Sequence, residues 1–72
     1  SDVVTQEITG AFTFPDDMKH YSLTVTNGPV TYKGITVQTD FSDTLSAADI
    51  GTLINGFSVD GTGGSIIIKY VV

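Results

Sequence analysis

The sequence predicts an α+β domain: a small, mostly antiparallel β-sheet of about four strands, with one short helix over about residues 44–56 packed on one face. Three observations lead there. Apolar residues alternate with polar ones in several separate runs, the period of a strand with one wet face. One stretch alone spaces its apolar residues by three and four, the signature of a helical face. The composition is rich in threonine, serine, glycine and β-branched residues, types that favour strands and turns.

The first run covers residues 4–14. Val4, Ile8, Phe12 and Phe14 fall on one face, and Thr5, Glu7, Thr9 and Thr13 on the other. Gly10 lies on the apolar face and marks a bulge or the close approach of another backbone. Pro15-Asp16-Asp17 is turn chemistry, since proline presets φ and aspartate bonds neighbouring backbone. The second run, residues 20–26, places Tyr21, Leu23 and Val25 inward. The two runs read as a hairpin with a loop of about five residues.

Asn27-Gly28-Pro29 ends the second run. Val30 and Tyr32 then share one parity, while Ile35, Val37 and Phe41 share the other. A strand cannot change faces without an extra residue, so a bulge or tight turn is expected at Lys33-Gly34. The helix follows, with Ala47, Ile50, Leu53, Ile54 and Phe57 on its apolar side. Ser46 with Asp49 resembles a capping box, and Thr44 competes as the cap. Asp43 and Asp49 put negative charge near the helix start, and Asn55-Gly56 supplies the stop. Gly51 lies inside the helix, so its stability must come from docking on the sheet.

Asp60 to Gly64 forms a flexible turn before the last run, residues 65–72. That run is apolar on both faces except at Ser65 and Lys69. Such a strand is expected to be central in its sheet and covered on both sides. In so small a domain, cover for the second face points to a partner or to a second copy. Ile67 and Val71 are the interface candidates on that face. Tyr32, in the segment where the parity switches, is the third, because exposed tyrosines anchor interfaces. The strand could also pair edge-to-edge with another chain.

Composition narrows the function. The 72 residues make a single domain, 1–72, with three lysines (Lys19, Lys33, Lys69), no arginine, no cysteine, no tryptophan and a net charge of −5. No disulfide can staple it, so stability must come from a well-packed core or from association. Phosphate neutralisation needs clustered cations, so no nucleic-acid role is expected. An anionic membrane would repel the chain, and its longest apolar run, Ile66-Ile67-Ile68, is far too short to span a bilayer. The start of the sequence lacks the pattern of a signal peptide.

No motif carries chemistry. Asp40, Asp43 and Asp60 offer hard oxygen ligands, but their spacing is not that of a calcium loop, and no bidentate glutamate follows. Each has a simpler role, at a helix start or in a turn. His20 near Asp16 and Asp17 could pair with one of six serines, yet no nucleophile elbow is present. The glycines at 61, 63 and 64 precede a strand, so they offer phosphate no helix N-terminus. The expectation is therefore a chain without catalytic residues, cofactor or metal. It reads as a structural or assembly module of a virion (bacteriophage capsid, head–tail or tail-fibre) or of an extracellular surface. Its partners would be protein, through self-association as a homo-oligomer or within a larger assembly. The alternative is a small acidic binding module or inhibitor that docks a larger protein or a glycan.

Overall fold

The computed structural model describes residues 2–72. Its elements, in chain order, are β1 (Val3–Ile8), β2 (Ala11–Thr13), β3 (His20–Asn27), β4 (Val30–Tyr32), β5 (Ile35–Val37), β6 (Ser42–Ser46), α1 (Ala47–Ile50), β7 (Ser58–Asp60) and β8 (Ser65–Val71). The strands form two antiparallel sheets of four. The first has the order β1-β8-β3-β6 and the second β2-β7-β4-β5. The protein is therefore mostly β, and the α+β expectation is corrected.

The helix expected over 44–56 is a single turn of four residues, none of them buried. Ser42 to Ser46 are instead a strand, paired with β3 from Thr24↔Ser42 to His20↔Ser46. Ser46 stands at the N-cap position without a side-chain cap bond; its hydroxyl is bonded to His20 Nδ1 at 2.9 Å instead. Gly51 in the left-handed region ends the turn, since glycine takes that conformation without a Cβ penalty. Ile50 and Leu53, expected on the docked face, are exposed. Ile54 is buried through an extended bridge to Met18, with each residue's amide donating to the other's carbonyl.

The expected hairpin between the first two runs is also corrected. The first run bends at Thr9-Gly10 and changes sheet, so β1 pairs with β8 and β2 with β7. From there the chain crosses between sheets at almost every step. Among the described residues, the β4–β5 hairpin alone joins consecutive strands. Its turn is Lys33-Gly34, both at positive φ, the tight-turn solution that the parity switch called for and the twist of a hairpin favours.

The core lies between the sheets. Tyr21, Leu23, Val25, Ile66 and Ile68 enter it from the first sheet, and Val30, Tyr32, Val37 and Val59 from the second. Phe14, Met18 and Ile54 belong to the same core. Phe14 stacks on Phe57 at 4.9 Å and meets Tyr21 at 5.4 Å; each such aromatic pair adds about 0.5–1.5 kcal/mol beyond its buried area. The chain passes very close at Gly56, where a Cβ would collide with the Phe14 carbonyl. Gly56 also donates its amide to Asp16 Oδ1 at 2.7 Å.

Candidate functional site

Two features of the first sheet stand out from a generic sandwich: its outer face and a polar relay along its β6 edge. The outer face follows from the register. Three rows cross β1, β8, β3 and β6 in turn: Val3, Val71, His20 and Ser46; Thr5, Lys69, Ser22 and Thr44; Glu7, Ile67, Thr24 and Ser42. Hydroxyls hold half of these positions. Val3, Val71 and Ile67 make an aliphatic set on the β1–β8 side.

The final strand is central in its sheet, between β1 and β3. Because both its edges are paired, edge-to-edge addition of a further chain to this strand is ruled out. Its inner residues Ile66 and Ile68 are buried. Ile67, between them, is 40% exposed, and Val71 is half-buried. Cover for the outer face is therefore not supplied within the described residues. Over the β3–β6 side lies an open depression of about 480 Å³, lined by Ser22, Leu23, Thr24, Ser42, Asp43 and Thr44.

Tyr32 is not on this surface. It is only 4% exposed, and its hydroxyl belongs to the relay. Tyr32 Oη donates to Asp43 Oδ2 at 2.6 Å. A phenol has one proton, so Tyr21 must donate in turn to Tyr32 Oη at 2.9 Å. Lys33 Nζ donates to Tyr21 Oη at 3.1 Å. The order Lys33, Tyr21, Tyr32, Asp43 thus runs from a cation to a carboxylate through two phenols. Lys33 Nζ also sits 4.5 Å from the centre of the Phe57 ring, within cation–π range.

Burial pushes the Tyr32 phenol well above its ordinary value of 10.0, and its hydrogen bonds with Asp43 and Tyr21 push it further. The phenol therefore stays protonated and acts as a donor. The relay links three strands across the sandwich, with Tyr21 on β3, Tyr32 on β4 and Asp43 on β6.

The remaining candidates are dispersed. Asp40 occupies a turn at positive φ, with its amide donating to the Val25 carbonyl. Asp60 accepts the Thr62 amide at 2.9 Å, and the Thr62 hydroxyl and amide together lower its pKa. Among the described residues, no three His, Cys, Asp or Glu side chains gather as metal ligands would. His20 and Ser46 tie β3 to β6 on the outer face. Sequence reasoning missed the relay, since residues 21, 32, 33 and 43 come from different elements. Its one legible hint was Asp43, an acid on what proves to be an edge strand.

With this geometry in view, the chain was compared with known protein families, curated proteins and solved structures, and it matches none of them.

Proposed function

We propose that this chain is a non-catalytic assembly module, with the outer face of its first sheet as the contact surface. The supporting observation is the aliphatic set on that face. Val3 and Val71 face each other across β1 and β8, and Ile67 lies on the same face two rows away, beyond Thr5 and Lys69; Ile67 and Val3 are exposed at 40% and 62%. Exposed aliphatics scattered singly are ordinary, whereas the Val3–Val71 pair with Ile67 on one face, among polar side chains, supports an interaction surface. The setting is a capsid, head–tail or tail-fibre component of a virion, or an extracellular surface layer. The Thr- and Ser-rich, Lys-poor surface suits such a role.

A second reading, a small acidic module that docks a larger protein or a glycan, is favoured by the hydroxyl-lined depression over Ser22 and Thr44. Light scattering on a size-exclusion column across a dilution series separates the two. Under the assembly reading the wild type is multimeric, and Ile67→Asp dissociates it while the single chain stays folded, because Ile67 is already 40% exposed there. A wild-type monomer at every concentration sinks the assembly reading and leaves the docking one. A multimer indifferent to Ile67→Asp removes this face as the contact.

A further inference from the structure

We propose that β1 is a strand-addition edge whose occupant is the β1 strand of a second copy, so that two four-stranded sheets join into one of eight. This rests on the assembly reading above, but places the contact at the open β1 edge beside Val3 and leaves Ile67 uncovered, so Ile67→Asp should not dissociate this pair.

The backbone fixes which groups are free. Asp2 and Val72 exchange both of their hydrogen bonds, Asp2 N to Val72 O at 3.2 Å and Val72 N to Asp2 O at 3.1 Å. In an antiparallel ladder, bonded and non-bonded pairs alternate. With Val3 opposite Val71 and Val4 opposite Tyr70, the bonded pairs are those of Val4, Gln6 and Ile8. The amides and carbonyls of Val3, Thr5 and Glu7 therefore point away from β8, along the open edge of the sheet.

The other edges are closed or short. β2 and β5 have three residues each. On β6, the Thr44 amide is taken by Asp43 Oδ1 at 2.9 Å. Asp43 itself is held inward by Tyr32, and an inward charge is one way natural sheets blunt an edge. β1 has six residues, with no lysine, no proline and no bulge to guard it.

The sequence of β1 fits itself. In an antiparallel pairing with its two-fold axis at Thr5, Val3 faces Glu7 of the second copy, Thr5 faces Thr5, and Glu7 faces Val3. All three outward residues then meet outward residues, so each open amide and carbonyl of Val3, Thr5 and Glu7 gains a partner. Residues of like parity face one another, so both cores stay on the same side of the joined sheet. No acid faces an acid: Glu7 meets Val3, and Asp2 meets Ile8. Shifting the axis to Gln6 sets Val3 opposite Thr9, beyond the end of β1, and shifting it to Val4 sets Glu7 opposite a position outside the described residues. Val3, the most exposed large aliphatic of the described residues, would lie between its own Val71 and the Glu7 stem of the second copy.

Single cysteine variants test this cleanly, because the chain has no cysteine of its own. In a bonded antiparallel pair the Cα atoms are about 5.5 Å apart, inside the range that a disulfide spans. Thr5→Cys should therefore cross-link to a covalent dimer on mild oxidation, even where the free association is weak. Two copies of Val3→Cys would hold their thiols four residues out of register, about 13 Å along the strand, and should not cross-link. A mixture of Val3→Cys with Glu7→Cys should. Thr5→Lys, which sets two ammonium groups face to face, should abolish association while leaving the single chain folded. If the wild type is multimeric yet Thr5→Cys stays uncrosslinked, the edge pairing is wrong and the assembly reading stands. A monomer with no cross-link overturns both. Equal cross-linking by Val3→Cys and Thr5→Cys overturns the register and the proposal with it.

Discussion

The two edges of the first sheet meet the same physical problem and answer it differently. Every edge strand presents unpaired backbone groups that another strand could take. On β6 the answer is built in: Asp43 turns inward to Tyr32 and its second oxygen takes the Thr44 amide, while the Thr44 hydroxyl donates to the Tyr21 carbonyl at 3.2 Å. On β1 no side chain plays that part, and its residues are mostly exposed apart from Ile8. An edge is thus a choice encoded in a few side chains. On one edge a side chain takes a backbone amide, Thr44; on the other none does.

The sharpest way to break that contrast is to unseal β6. Asp43→Ala removes the acceptor for a buried phenol and for an edge amide at once. We expect a loss of about 2–4 kcal/mol in denaturant unfolding, since bonds to charged groups contribute more than neutral ones and the Tyr32 hydroxyl is left unpaired. The newly bare edge should also promote association that Thr5→Lys does not suppress. A loss under about 0.5 kcal/mol, the usual spread for surface changes, would mean that Asp43 is not an anchor.

Tyr32→Phe keeps the ring and deletes one link. The expected loss is smaller, about 1–2 kcal/mol, because Asp43 is half-buried and can turn to water. It also carries a pH signature. The phenol titrates near 10.0 in the unfolded chain and higher when folded. Its contribution is thus complete below pH 10 and is lost as pH rises beyond it, because the unfolded state releases the proton first. Wild-type stability should fall above pH 10 by up to about 1.4 kcal/mol per pH unit from this group. The variant should lack that share of the slope. Identical alkaline limbs in the two proteins would contradict the burial of this hydroxyl.

Much of the strand content was legible in the sequence because alternation is a local signal. Tyr21, Leu23 and Val25 point inward as their spacing required, and the doubly apolar final strand is central in its sheet. The connectivity was not legible. A chain that crosses between sheets after nearly every strand leaves no mark on local periodicity, so residues 4–14 and 20–26 suggested a hairpin that the bend at Thr9-Gly10 prevents. The helix was misread for a different reason. Ala47, Ile50, Leu53, Ile54 and Phe57 match helical spacing, but Ile54 and Phe57 are drawn in by extended contacts with Met18 and Phe14, and Ile50 and Leu53 stay outside. Gly51 and Gly56 within 44–56, and the hydroxyl-rich run from Ser42 to Ser46, were the available warnings. Of the interface candidates, Ile67 and Val71 do lie on the outer face, whereas Tyr32 is buried, with its hydroxyl donating a hydrogen bond to a partner distant in sequence, Asp43.

The far end of the relay should matter least. Lys33 is solvent-exposed at the tip of the β4–β5 hairpin, and water can replace its bond to Tyr21. What water cannot replace is the ammonium over the Phe57 ring, with Tyr21 and Tyr32 rings each 5.5 Å away. Exposed cation–π contacts contribute about 0.5–1 kcal/mol, so Lys33→Gln should cost about that much and Lys33→Arg less. Neither change touches Asp43 or the Thr44 amide, so β6 should remain sealed and the oligomeric state unchanged. A loss from Lys33→Gln as large as that from Asp43→Ala would make the cation, and not the carboxylate, the anchor of this edge.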